Sequence, residues 1–223
     1  MLKYVLFDVD GTLTDPSEGF VNALSYAIPR MGLTPPADKR ELYALIGPPL
    51  ITSMKRVYSL SEEDAARMLR IYREYYSERG LFEAYVYDGI RELLGDLQAG
   101  GFILNTVTSK PIEYVERLLD RMQLRERFTF LAADDLACSR HTKSEVFRYL
   151  FENVPDITPE NAIMLGDRKF DVISAHEFGI RTVGCAWGHA PEGELVAAGA
   201  DFIARTPAEA LEIILSLRKE TPC

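Results

Sequence analysis

The sequence predicts an α/β fold, a parallel sheet flanked by helices, with a helical module inserted after the first strand. Short apolar segments rich in β-branched and aromatic residues recur along the 223 residues, most of them far enough apart to hold a helix between them. That alternation is the pattern of a parallel sheet. The segments are also nearly continuous in hydrophobicity, as strands covered on both faces need to be. Finally, the stretch from about Asp15 to Glu83 breaks the rhythm, with several amphipathic helical patterns and no convincing strand.

In chain order, the expected strands are Tyr4 to Phe7, Phe102 to Val107, Phe128 to Leu131, Ala162 to Leu165, Thr182 to Cys185 and a short one at Asp201 to Ala204. Within the insertion, Phe20, Leu24, Ala27, Ile28 and Met31 fall on one helical face. After Ser61, with Asp64 three residues on, Ala65, Met68, Leu69, Tyr72 and Tyr76 fall on another. Pro16 at the entry and Tyr85 to Gly89 at the exit read as connectors, and Ile46-Gly47-Pro48-Pro49-Leu50 reads as a rigid turn between helices. Thr206, Pro207 and Glu209 open a last helix whose apolar face holds Leu211, Ile214 and Leu215. The tail from Lys219 to Cys223 is expected to fray. Residues 1–14 with 84–223 would form one domain and residues 15–83 the other.

Composition excludes several classes of function. There are 25 Lys and Arg against 34 Asp and Glu, a formal net charge of −9 with a pI near 5.0. A nucleic-acid binder would instead present a basic face to displace counterions from phosphates. No apolar run reaches the roughly 20 residues needed to cross a bilayer. The first one, Leu2 to Phe7, is cut by Asp8 and Asp10, which also argues against a secretory signal. Cys138, Cys185 and Cys223 are widely spaced and odd in number, without a CxxC pair, so a reducing cytoplasm is expected. His141, His176 and His189 have no metal-ligand spacing among them.

Chemistry concentrates where strands end. Phe7-Asp8-Val9-Asp10-Gly11-Thr12-Leu13 follows the first strand, at the carboxyl edge where open α/β sheets bind ligands. Two acids beside an apolar run are costly unless a cation or substrate offsets their charge, although a surface Asp-x-Asp-Gly turn is the plain alternative. Gly166-Asp167-Arg168-Lys169-Phe170-Asp171 follows the fourth strand and, in a parallel sheet, lies on the same edge. Asp8, Asp10 and Asp167 could thus meet around a hard divalent cation, Mg²⁺ above all, since it keeps waters and accepts phosphate oxygens. Asp171, a turn further on, is better placed to support that shell, or is an ordinary acid at a helix start. Thr106-Val107-Thr108-Ser109-Lys110-Pro111 ends the second strand, where the Thr108 hydroxyl and the following N–H groups could hold an anion or simply start a helix. Lys143 opens a later helix, where acids are favoured, so it either faces an anion or is solvated.

In this order, Asp-x-Asp-Gly-Thr, a strand-end Thr, a helix-opening Lys and Gly-Asp-x-x-x-Asp resemble the four motifs of the haloacid dehalogenase-like hydrolase superfamily. The resemblance spans the chain, because the helical insertion is similar in position and length to that superfamily's C1 cap, and it is strongest to the phosphoglycolate phosphatase and bacterial 5′-nucleotidase type. It implies a Rossmann-like core with a cap domain at residues 15–83 that governs substrate choice. It implies that Asp8 is the nucleophile and Asp10 the general acid/base, with Mg²⁺ held by Asp8, the Asp10 carbonyl and Asp167. Thr108, Ser109 and Lys143 would bind the transferring phosphoryl, and Asp171 would orient the metal shell or Lys143. The second acid, Asp10, favours phosphate esters over halides, because a leaving alkoxide needs a proton and a halide does not. A phosphomutase or inorganic pyrophosphatase on the same scaffold is the alternative within enzymes, and a phospho-receiver switch the alternative outside them. Arg168 and Lys169 depart from the small residues common there in phosphoglycolate phosphatases and look closer to the nucleotidase branch. The implied partner is a small phosphorylated metabolite, with no nucleic acid or membrane, acting on a monomer or homodimer.

Overall fold

The computed structural model describes residues 1–46, 50–140 and 142–219. Gly47, Pro48 and Pro49 of the expected turn, His141, and most of the tail expected to fray lie outside the described residues. The chain divides into two compact units, Met1–Thr14 with Val86–Cys223, and Asp15–Tyr85.

The first unit is built on six parallel strands: β1 (Tyr4–Phe7), β2 (Ile103–Pro111), β3 (Phe130–Asp134), β4 (Ala162–Gly166), β5 (Arg181–Cys185) and β6 (Phe202–Ala204). Their spatial order is β3-β2-β1-β4-β5-β6. From β1 the chain runs outward through β2 to β3, then returns to the other side of β1 and runs outward again through β4. The direction of winding thus reverses at β1, and the crevice beyond its carboxyl end is where this topology binds ligands. Register makes the point local, because Phe7 lies opposite Thr106 on one side and Leu165 on the other. Asp8, Val107 and Gly166 come next.

Among the described residues this unit holds six α-helices: α4 (Ile90–Ala99), α5 (Ile112–Arg121), α6 (Lys143–Asn153), α7 (Lys169–Glu177), the short α8 (Glu194–Ala197) and α9 (Pro207–Lys219). All four residues of β1 are buried. Tyr4 and Leu6 of β1 join Phe147 and Leu150 of α6 and Met164 of β4 in one apolar cluster, which accounts for the lack of polar alternation in these strands. Two strands differ from the sequence expectation by more than one residue at an end. β3 starts two residues late and continues to Asp134. β2 runs to Pro111 rather than stopping at Val107, because the chain bulges after Thr108 and rejoins β3 at Pro111, opposite Asp134. The helix expected to open at Thr-Ser-Lys-Pro therefore starts at Ile112.

The second unit contains α1 (Ser17–Arg30), α2 (Leu50–Tyr58) and α3 (Glu62–Tyr76). Ser61 caps α3 by accepting from the Asp64 N–H at 3.1 Å. Phe20, Leu24, Ala27 and Ile28 are buried on α1 and Ala65, Met68, Tyr72 and Tyr76 on α3, with the Phe20 and Tyr72 rings 5.8 Å apart edge to face. Met31 and Leu69, expected on the same faces, are half-buried.

Candidate active site

The site grows out of the first turn after β1. The Asp8 N–H donates to the Leu165 carbonyl at 2.9 Å, which continues the β1–β4 ladder one residue past the strand. The chain then folds back on itself: the N–H groups of Leu13 and Thr14 both donate to the Val9 carbonyl, and Gly11 takes φ +84°, a conformation that costs glycine little. The Val9 N–H donates to Asp8 Oδ1 at 2.8 Å, fixing one oxygen of that carboxylate. Its other oxygen, Oδ2, lies 2.9 Å from Lys143 Nζ.

Lys143 is the first residue of α6, whose N-terminus is closed by a reciprocal capping box between Thr142 and Glu145. With those N–H groups satisfied, the lysine is held by the backbone of a well-started helix. Its ammonium bonds Asp171 as well as Asp8. Asp171, in the first turn of α7, accepts from the Arg168 N–H at 2.9 Å through its second oxygen. Asp167 closes the group, accepting from the His189 N–H at 2.8 Å. Asp8, Asp167 and Asp171 are all buried, and a carboxylate oxygen of each lies within 4.8 Å of the others.

Three carboxylates and one ammonium leave two negative charges uncompensated in a place nearly closed to water. Burial, followed by repulsion from Asp171 and Asp8, pushes the Asp167 carboxyl well above the usual range, against the pull of the His189 N–H. Burial pushes Asp171 up to about 6, against the pull of Lys143. Burial works to lower the Lys143 ammonium, but Asp171 and Asp8 outweigh it and hold it above its ordinary value. A hard donor set with two excess charges fits a small divalent cation.

Backbone makes room for this cluster. A Cβ on Gly11 would lie 2.1 Å from Asp167 Oδ2, and one on Gly166 2.2 Å from Asp171 Cγ. The strand-end loop after β5 also crosses close: a Cβ on Gly188 would stand 2.3 Å from both Asp167 Cβ and the Gly11 carbonyl oxygen. Trp187 anchors that loop by donating from Nε1 to the Thr12 carbonyl at 3.0 Å, and Arg168 ties its far end through Glu194 at 2.8 Å. Gly188→Ala is therefore expected to cost about 1–3 kcal/mol and to weaken divalent-cation binding, read by thermal melts with and without the ion.

Metal-free stability should also depend on pH through Asp171. Burial pushes its native carboxyl up to about 6 from the ordinary aspartate value of 3.8. Its contribution is thus complete below the unfolded value and lost as pH rises through about 6. Urea melts are expected to show the metal-free protein weakening between those limits. Stabilisation by an added divalent cation should be larger above pH 6 than at pH 5.

Of the remaining expected residues, Thr108 is buried at the end of the regular part of β2, and its Oγ1 accepts from the Lys110 N–H at 3.3 Å. Ser109 is half-buried in the bulge. The Asp10 carboxylate stands outside the three-acid cluster. Both its oxygens are taken by Lys110 Nζ, at 2.8 and 2.9 Å. Lys110, His189 and Gly188 have no role expected from the sequence, although all three lie at or just beyond strand ends that share the edge of Asp8.

A family model described as haloacid dehalogenase-like hydrolase matches residues 5–185. The chain belongs to this family. A 5′-nucleotidase of Pseudomonas aeruginosa is 35% identical to it over 196 residues, 87% of this chain and 88% of that one. A phosphoglycolate phosphatase of Vibrio parahaemolyticus is 26% identical over 222 residues, covering 96% of each chain. A tyrosine-protein kinase, PtkA of Mycobacterium tuberculosis, is 33% identical over 92% of this chain and 66% of its own. Among solved structures, one described as a predicted phosphatase from Clostridium acetobutylicum superposes with a TM-score of 0.93 at 36% identity, covering 97% of this chain and 99% of that one. The six-stranded parallel sheet with its flanking helices is the haloacid dehalogenase-like core expected from the motifs.

Proposed function

We propose that this member of the hydrolase family is a Mg²⁺-dependent phosphoric monoester hydrolase, acting on a small metabolite of the phosphoglycolate or 5′-nucleotide type through an aspartyl-phosphate on Asp8. The observation that carries the reading is the Lys143 ammonium seated between Asp8 and Asp171, 2.9 Å from Asp8 Oδ2. With the Val9 N–H on the other oxygen, it orients the Asp8 carboxylate at the sheet edge, as a carboxylate nucleophile requires. The names of the phosphatase relatives favour the same chemistry.

In the first step an Asp8 oxygen bonds to phosphorus, the phosphorus–oxygen bond to the leaving group breaks, and Asp10 gives that oxygen its proton. In the second, Asp10 takes a proton from water, the water oxygen attacks the phosphorus, and the acyl phosphate bond breaks to return Asp8 and inorganic phosphate. Thr108, Ser109 and Lys143 bind the transferring phosphoryl, so that its charge meets prepositioned donors. Asp8, Asp167 and the Asp10 carbonyl would hold Mg²⁺, with Asp171 steadying Lys143 and that shell. When bound, the ion offsets the charge that accumulates between the acids and the phosphoryl oxygens.

Residues 15–83, taken as the cap domain, are the segment to which the family resemblance assigns the choice of leaving group. Among the described residues no helix is long and apolar enough to cross a membrane; a cytoplasmic setting is part of the same proposal. The test is phosphate release with Mg²⁺ over phosphoglycolate, 5′-nucleotides, sugar phosphates and pyrophosphate, with Asp8→Asn protein as the blank. Release from one or a few monoesters supports the reading. Release from pyrophosphate alone, or silence across the panel with Mg²⁺ bound, overturns it.

A further inference from the structure

Lys110 is not one of the residues to which the proposed chemistry gives a role, yet it is among the most deliberately placed cations in the core unit. Its side chain is 3% exposed, and its Nζ grips both oxygens of Asp10, a residue 24% exposed. An ordinary surface ion pair leaves both partners in water and contributes little. Here the lysine end is desolvated, which is tolerable only because the carboxylate is there to receive it.

Backbone geometry explains how a residue so distant in sequence arrives. β2 pairs with β3 through Thr108, opposite Ala133, and next at Pro111, opposite Asp134. Ser109 and Lys110 fall in the irregular step between, which releases them from the strand's strict alternation, as bulges beside active sites commonly do. The Lys110 N–H donates to Thr108 Oγ1, so the same step that aims the lysine also braces the threonine beside it. The receiving acid needs such a partner. Asp10 sits on a tight turn next to Gly11, partly exposed, where an unheld carboxylate would sample several rotamers.

We propose that Lys110 is a positioning residue: its ammonium fixes the Asp10 carboxylate in the orientation from which that acid protonates the leaving oxygen and then activates water. The inference rests on the acid/base role given to Asp10 above. A proton donor displaced by about 1 Å loses on the order of 10²-fold in rate, and Lys110→Met should cost that much in kcat on an alkyl phosphate. KM should stay within about twofold, because the lysine touches the acid rather than the phosphoryl. p-Nitrophenyl phosphate has a leaving group that needs no proton. Its first-turnover burst should survive in Lys110→Met, while the phosphoenzyme then accumulates because water activation is slow.

The deciding experiment is a double-mutant cycle of Lys110→Met with Asp10→Asn, on an alkyl monoester that the wild-type enzyme turns over. The expected result is that the double variant is no slower than Asp10→Asn alone, since the lysine acts through the acid. Additive losses, a KM rise in Lys110→Met that matches its kcat fall, or loss of the p-nitrophenolate burst would overturn the inference. Lys110→Arg, which keeps a cation with two donors for the carboxylate, should recover most of the rate, and a variant as slow as Lys110→Met would count against it. Full activity of Asp10→Asn would instead overturn the acid/base assignment on which the inference stands, so the two failures are distinguishable.

Discussion

Asp8→Asn protein is expected to fold normally, bind Mg²⁺ more weakly, and lose turnover by about 10⁵-fold or more, the scale seen when a covalent nucleophile is removed. The carboxamide matches the carboxylate in shape, and its one oxygen can still accept from either the Val9 N–H or Lys143, which meet different oxygens of Asp8, but not from both. It has no oxygen basic enough to displace an alkoxide from phosphorus. Its effect on the fold should run the other way. Asp8 raises the carboxyl pKa of both Asp167 and Asp171 by repulsion, so removing its charge relieves the buried cluster. Thermal melts without metal are expected to show an unchanged or higher Tm. A quenched-flow search for acid-stable, hydroxylamine-sensitive phosphoprotein should find it in the wild type and not in the variant. Residual turnover above about a thousandth of the wild-type rate would remove Asp8 from the nucleophile's place.

Lys143→Met should damage both stability and catalysis. It leaves Asp8 and Asp171 facing each other beside Asp167 with no cation among them, and stranding buried charge in this way costs about 3–5 kcal/mol. Because the acids can shed part of that cost by taking up protons, the loss measured in urea without metal should be larger at pH 8 than at pH 5. Mg²⁺ should recover much of the stability but little of the rate, since it cannot replace the ammonium on the phosphoryl oxygens. Activity is expected to fall by about 10³-fold, with kcat and KM both affected. A variant with wild-type stability at pH 8 would show that the ion pair is not the keystone of the cluster.

The parts of this architecture that the sequence made legible are those set by local periodicity and by the ends of strands. Continuous apolar runs marked β1, β4 and β5 because strands buried on both faces leave no room for polar alternation. Asp8, Asp167 and Asp171 were recognisable because each follows such a run at one edge of the sheet. What could not be read depended on contacts between distant segments. Thr-Ser-Lys-Pro carries helix-start chemistry, and only its pairing with β3 turns it into a bulge that delivers Lys110 to Asp10. The shelter of Asp167 by the Gly188 loop rests on an approach so close that a Cβ there would stand 2.3 Å from Asp167 Cβ, which no local pattern encodes. Asp134 escaped for a related reason, since a strand that ends in a buried acid does not look like a strand.

The central position of β1 also bears on how the molecule is made. The two neighbours of Tyr4 across the sheet are Ile103 and Ala162, both far along the chain from it. Such long sequence separations slow folding, because a large loop must be closed before any pairing is rewarded. During translation the strand that precedes Asp8 waits with both edges unpaired while the helical insertion and α4 emerge, and with the edge that receives β4 still open while β3, α5 and α6 follow, an interval in which it is open to chaperones and to mispairing. A nascent chain halted before Gly166 would thus carry Asp8 without the second wall of its site.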